Sequence, residues 1–409
     1  MRILLLGVGA VGEAYCSLGV ERDPGAQWFE QVVLADYTLD RPLKVQKKLN
    51  DKRFVVDQVN AADKEQVVAA CKRHNIDLLL NCCPQSLNVS IFDGAFEAGV
   101  MYMDLAATLS EKHPADPYNK PGVLLGDYQF NKSGQWQEAG RLAIIAMGID
   151  PGVTDVFAKY AESKLFDELE EIRVRDGANI YVEGYDFAPT FSVWSVIEET
   201  LNPCYFWEKD KGWYTGESFA EPEIFEFPEG IGPQEVVSIE HEEVILIPRH
   251  VDKGLKKVSY KIALGREFIE VLNTIRKLGL DNPGKINVKG VMVSPRDVVE
   301  ACVPNPAELG HLMHGKMSVG IWVKGKKDGL NKEIYIYQCE DNQDCMRRYN
   351  CQAVSLQTAI GPIIASELLA RGIWTGSGVR SPEEFNPEPF LRLMLDYGHP
   401  YKIIDMPIK

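Results

Sequence analysis

The chain has 409 residues, more than one ordinary core holds and enough for two domains. With 45% hydrophobic and 25% charged residues it can bury a core without disulfide support. Its net charge of −15 argues against nucleic acid and anionic membrane as partners, since both demand a basic surface. The nine cysteines are scattered and odd in number, as expected for free thiols in a reducing compartment. Arg2 leads straight into an apolar run, so no secretory leader is expected, and no apolar stretch approaches the ~20 residues of a membrane helix. The expected location is the cytoplasm.

The opening stretch, MRILLLGVGAVGEAY, organises the rest. Ile3 to Leu6 has no polar break, as in a strand buried on both faces. Gly7, Gly9 and Gly12 follow in G-x-G-x-x-G spacing, with Val8, Ala10 and Val11 between them. Gly7 permits the tight turn, Gly9 lets backbone N–H groups approach a pyrophosphate, and Gly12 lets the following helix pack close to the strand. That helix points its positive end at the phosphates. A second strand, Gln31 to Ala35, ends in Asp36, placed to accept hydrogen bonds from a ribose 2′-hydroxyl. A carboxylate there repels a 2′-phosphate, Tyr37, Thr38 and Leu39 offer no cation, and Arg41 is the nearest one. The expected cofactor is NAD rather than NADP.

Further along, Asp63 to His74 is predicted helical, Asp77 to Cys83 a buried strand stopped by Pro84, and Ser90 to Ala98 a helix ended by Gly99. Met101 to Leu105 is a strand with Asp104 at its carboxyl end. Ligands of open parallel sheets sit outside such ends, which places Cys82, Cys83 and Asp104 near the nicotinamide. The two cysteines read as small buried filler ahead of any chemical role. Glu111 to Gly134 is irregular and suggests a flap beside the site. Gln135 to Ala139 reads as a helix and Arg141 to Met147 as a strand. Asp150-Pro151-Gly152 is a turn ahead of a helix over Thr154 to Lys164, with Pro151 in its first turn, and a domain boundary is expected there.

From Glu168 the pattern becomes α+β. Short strand-like runs (Glu171–Arg175, Glu243–Ile247, Lys257–Ala263, Val319–Lys324, Ile334–Gln338) alternate with helices at Glu267–Leu278 and Pro295–Cys302. KKDGLNK, Lys326 to Lys332, is a hairpin signal. A long helix, Ser355 to Leu369, a proline-rich segment, Ser381 to Pro389, and an amphipathic stretch, Phe390 to Tyr397, close the chain.

Neither G-x-S-x-G nor H-E-x-x-H occurs. Cys339, Cys345 and Cys351 recur every six residues, which is not a zinc spacing, and no metal is expected. His241-Glu242-Glu243 could manage a proton and bind a cationic amine, or could be an exposed polar turn.

These pieces, in order, resemble the saccharopine dehydrogenase superfamily over nearly the whole chain. The resemblance is carried by GVGAVG (Gly7 to Gly12), Tyr102-Met103-Asp104, GIDPGVTDVF (Gly148 to Phe157) and GYDFAPTF (Gly184 to Phe191). It continues in His241-Glu242-Glu243, in GKKDG and IYIY between Gly325 and Tyr337, in Asp341 to Ala353, and in PEEFNPEPF from Pro382 to Phe390. It implies an α/β Rossmann domain (1–148) plus an inserted α+β substrate and dimerisation domain (149–354). C-terminal helices (355–409) would return to the first domain. It also implies hydride exchange between NAD(P) and a carbon–nitrogen bond of an amino acid or polyamine, in a homodimer.

In that scheme Asp104 and Asp150 hold the positive charge of an amine or iminium, His241 manages the proton, and Glu242 binds a distal ammonium. Where members of the family carry a histidine and a tyrosine, this chain has Asn342 and Met346, so a different substrate is expected. The alternative is an NAD(H)-binding sensor or scaffold of the same fold without turnover.

Overall fold

Seven short strands with almost continuously buried residues align in one sheet in the computed structural model, which describes residues 1–185, 187–191 and 193–407. Across the sheet they run Gly378–Arg380, Leu142–Ile144, Met101–Asp104, Leu78–Asn81, Arg2–Leu6, Gln31–Asp36 and Phe54–Gln58, all parallel. The first six in sequence take the order 3-2-1-4-5-6 of dinucleotide-binding sheets, with a seventh strand added from the C-terminal region. Helices cover both faces, which is why these strands read as apolar runs and not as alternating ones. Asp63, read as the first residue of a helix, is its cap and accepts the Gln66 N–H ahead of helix Lys64–Arg73, and the predicted ending at Gly99 closes helix Asn88–Ala98 in left-handed backbone (φ 75°). The strand predicted over Asp77 to Cys83 stops at Asn81, so Cys82 and Cys83 lie just past its end. Pro151 precedes helix Val153–Tyr160 instead of sitting in its first turn, and Gly152 is the cap.

The second sheet has nine strands. Gly212–Gly216, Cys204–Glu208, Lys257–Ile262, Glu168–Ala178, Lys316–Lys327, Leu330–Asp341 and Tyr401–Asp405 follow one another, and the hairpin Ala220–Phe227/Gly232–Ser238 joins through Val237 and Ile262. Lys327 pairs with Leu330, and Asp328 (φ 52°) and Gly329 (φ 76°) both take the positive φ of a type I′ turn, as the KKDGLNK signal requires.

Three expectations are modified here. Glu243 to Ile247 is not a strand: it opens a helix, Glu243–His250, whose first five residues are all buried. The C-terminal region returns to both sheets, because Tyr401–Asp405 pairs with Leu330–Asp341 of the second. Helix Ala353–Ala370 also corrects the membrane argument, since its 18 residues are long and apolar enough to cross one. Here 78% of it is buried inside the protein, where it packs on helix Ala10–Arg22.

The segment from Glu111 to Gly134 is pinned rather than open. Glu111 and Val123 bridge each other, Tyr205 donates to the Val123 carbonyl (3.2 Å), Thr215 to that of Pro117 (2.9 Å), and Arg249 pairs with Asp127 (2.9 Å).

Candidate active site

The glycines of the first turn each have a separate steric reason. A Cβ on Gly7, which holds φ 95°, would lie 2.7 Å from the Cys82 carbonyl, and one on Gly12 would lie 2.9 Å from the Gly7 oxygen and a Leu5 methyl. A Cβ on Gly9 would meet nothing within 4 Å. Gly9 caps helix Ala10–Arg22 without a side-chain hydrogen bond, so the first N–H groups face open space. This cradle fits a dinucleotide pyrophosphate. Asp36 stands at its edge and accepts the Val8 N–H (2.8 Å) on one oxygen and the Tyr37 N–H (2.7 Å) on the other.

From Gly9 to Gly12 a cavity of about 1050 Å³ runs past Cys82, Cys83 and Asp104 to the second sheet. Gly7, Val8, Asp36 and Tyr37 do not line it; they lie behind or beside the glycine turn. Burial pushes the Cys82 thiol up to about 12 and the Cys83 thiol higher still, so both stand as neutral wall groups.

Asp104 is buried and fully engaged. One oxygen accepts the Ala146 N–H (2.6 Å), the other Tyr102 Oη (2.9 Å) and Gln129 Nε2 (2.6 Å). Burial raises it to about 7. Its hydrogen bonds fix the strand ends around the cavity that it lines, with both carboxyl oxygens already engaged.

Asp150 does face the cavity. It accepts Tyr260 Oη (2.8 Å), and burial raises it to about 7 although the nearby His241 acts to lower it. Tyr260 stacks on the His241 ring at 3.7 Å and 3°. His241 Nδ1 meets the Glu243 carboxylate, whose other oxygen accepts Thr154 Oγ1 (2.9 Å). Nε2 is left to the cavity that His241 lines. Burial alone would lower the imidazole, but the Glu243, Glu242 and Asp150 carboxylates hold it well above the usual histidine range.

The expected role of Glu242 is corrected. It does not line the cavity: its Oε1 accepts Gln85 Nε2 (3.0 Å) and the Ala107 N–H (3.1 Å), tying the second sheet's helix to the first domain. Glu240 behaves alike, accepting Ser110 Oγ and Asn202 Nδ2 (2.8 Å), and burial raises it to about 7. One run of four residues thus alternates docking carboxylates with the histidine–carboxylate pair.

Three lining groups escaped the sequence analysis: Asp176, Glu199 and Tyr260. Asp176 is raised by burial and by Asp150 beside it. Its only signal was a carboxylate next to Gly177 near the end of a strand whose other carboxylates lie toward its start. Asn342 lines the cavity, yet its Nδ2 donates to the Gly310 and Met313 carbonyls (both 2.8 Å) and its Oδ1 accepts the Ala353 N–H (3.0 Å), so it holds the wall together. Of the GYDFAPTF segment, Asp186 lies outside the described residues. Among the described residues no group of histidine, cysteine and carboxylate side chains could hold a metal.

A dinucleotide cradle opening into a cavity with a buried histidine–carboxylate pair defines a nicotinamide-dependent oxidoreductase. A family model described as the saccharopine dehydrogenase NADP binding domain matches residues 3–144, and one for the saccharopine dehydrogenase C-terminal domain matches residues 148–399. Carboxynorspermidine synthase of Vibrio alginolyticus is 30% identical over 407 residues, covering 97% of this chain and 95% of that protein. Carboxyaminopropylagmatine dehydrogenase of Synechocystis is 26% identical over 402 residues, covering 98% and 96%. Apo saccharopine dehydrogenase (L-Glu forming) from Saccharomyces cerevisiae shares the fold, with a TM-score of 0.67 at 13% identity, covering 99% of this chain and 100% of that one. The chain belongs to the saccharopine dehydrogenase family and is an oxidoreductase acting at an amine or imine carbon.

Proposed function

We propose that this protein is an NAD-dependent dehydrogenase that joins or separates a polyamine-type amine and a carbonyl compound through their imine. The carrying observation is the charge of the cavity. Asp104, Asp150, Asp176, Glu199 and Glu300 line it, and among the described lining residues there is no lysine or arginine. A cation entering this space meets carboxylates in a low-dielectric setting where their attraction is strong. A substrate bearing several carboxylates meets no lysine or arginine there, and the lining histidine, His241, is already paired with Glu243. This supports a polyamine over a polycarboxylate amino acid, in keeping with the printed names of the two relatives.

When bound, the nicotinamide ring supplies or accepts the hydride. The chain's own residues do the rest. Gly9 to Gly12 and Asp36 would hold the dinucleotide. Asp150 and Asp176 hold the substrate ammonium, and Tyr260 keeps Asp150 in place. His241 exchanges the reaction proton at Nε2, while Glu243 fixes its tautomer and stabilises its charged form.

NAD over NADP is supported by Asp36, whose position beside Val8 leaves a carboxylate where a 2′-phosphate would sit. A homodimer is supported by the hairpin Ile286–Val288/Val291–Val293, an isolated two-stranded sheet that exposes Ile286, Val288, Val291 and Met292. The test is a matrix of NADH and NADPH oxidation with diamines and agmatine, each paired with a short carboxylated aldehyde or a 2-oxo acid. Turnover confined to lysine with 2-oxoglutarate would overturn the polyamine assignment.

A further inference from the structure

The outer edge of the glycine turn carries a charge cluster that none of the above uses. Arg41, in the first turn of helix Asp40–Leu49, sets Nε against the Val8 carbonyl (3.3 Å) and a terminal nitrogen on the Glu13 carboxylate (3.1 Å). Val8 is the residue whose N–H Asp36 accepts, so Arg41 and Asp36 hold the two successive peptide units on either side of the Val8 Cα. Glu13 also takes Lys48 Nζ at 2.6 Å, and Lys48 reaches the Tyr349 carbonyl (3.3 Å). The Glu13 side chain is 14% exposed, against 33% for Arg41 and 34% for Lys48. One half-buried carboxylate, on the helix that begins at the cradle, therefore occupies two cations.

We propose that Glu13 is a second determinant of cofactor choice: by holding Arg41, it denies a 2′-phosphate the guanidinium it would need. The proposal rests on the reading that Asp36 selects NAD. A 2′-phosphate is recognised by an arginine whose donors are free to engage it in pairs. Here one edge of the guanidinium is spent on Glu13 and Val8. Asp36 and Glu13 balance Arg41 and Lys48, so the cluster is neutral. Glu13→Gln keeps the size and a polar end but removes one negative charge. It leaves the cluster at +1 and replaces the ionic partner of Arg41 by a neutral amide oxygen that holds the guanidinium more weakly.

The experiment is fluorescence titration of NADH and NADPH against wild type, E13Q, R41A and the double variant E13Q/R41A. E13Q is expected to tighten NADPH by about tenfold, the worth of a charge-assisted hydrogen bond, with NADH within about twofold of wild type. The double variant should lose the gain, and R41A alone should leave both affinities unchanged. An unchanged NADPH affinity in E13Q overturns the proposal and leaves Asp36 as selector, provided that wild type prefers NADH. Equal weakening of both cofactors in E13Q also overturns it, since Glu13 would then shape the cradle only. If R41A alone weakens NADPH, Arg41 is already free and Glu13 restrains nothing. Wild-type preference for NADPH overturns the Asp36 reading and this proposal with it.

Discussion

His241 presents one nitrogen to the cavity because Glu243 takes the other, and the stacked Tyr260 leaves the ring little freedom to turn. His241→Asn should lower kcat by ~10²-fold, the usual scale of a general acid–base group, with NADH affinity unchanged because His241 belongs to the other sheet's side of the cavity. Steady-state kinetics and a binding titration check both halves. Glu242, between the two members of that pair in the chain, should behave quite differently. Glu242→Ala strips the partner from the Ala107 N–H and the Gln85 amide, so it should cost about 1–3 kcal/mol of stability in a denaturant titration. A large rise in KM with unchanged stability would restore a direct contact with substrate. Asp150 sets a pH limb. Its carboxyl titrates at about 7, so below that pH it is neutral and cannot hold an ammonium. KM for the amine should rise as pH falls through about 7, and in Asp150→Asn the KM should be high and flat across that range.

At the scale of elements, the glycine turn makes the sharpest claim. A side chain on Gly9 meets open space in the protein itself, so Gly9→Val should keep its circular dichroism and melting temperature while losing NADH binding. Retained micromolar affinity by calorimetry would remove the pyrophosphate from this turn. The same scale shows what the sequence could reveal. Strands such as Arg2–Leu6 and Gln31–Asp36 are buried on both faces, and an unbroken apolar run between glycine and carboxylate has few other solutions. Helix Glu243–His250 was misread because Val244 to Ile247 is as short as a buried strand and apolar in every direction. Its end charges were the overlooked signal: Glu243 at the start and Arg249 and His250 at the finish suit a helix dipole. The strands Cys204–Glu208 through Gly232–Ser238 were missed altogether, since glycine and polar residues blur the alternation in Gly212–Gly216, Ala220–Phe227 and Gly232–Ser238. Asp176 and Tyr260 were illegible for a different reason: only the fold brings their strands beside His241.

Over the whole molecule, the net charge of −15 and the acidic cavity share a sign. Such a field draws cations in and is screened by salt. The kcat/KM for a diamine should therefore fall as ionic strength rises, mainly through KM, whereas NADH affinity should not follow the same slope. A stopped-flow or initial-rate series in sodium chloride checks it, and a salt-independent KM would show that the carboxylates are internally compensated. The parallel sheet followed by a mixed one was legible from the change of pattern at Glu168, but the crossing of the chain near residues 378–405 was not, because Gly378–Arg380 and Tyr401–Asp405 are too short to announce themselves.

That crossing has a consequence for biosynthesis. The first sheet lacks its outermost strand until residues 378–380 have been made, and the second lacks an edge until residues 401–405 have followed. Strand Leu330–Asp341 would meanwhile present an unpaired edge, an invitation to pair with another nascent chain. A polypeptide leaving the ribosome therefore gains both finished sheets only once residue 405 has emerged, so chains stalled short of residue 401 should be the ones that chaperones hold.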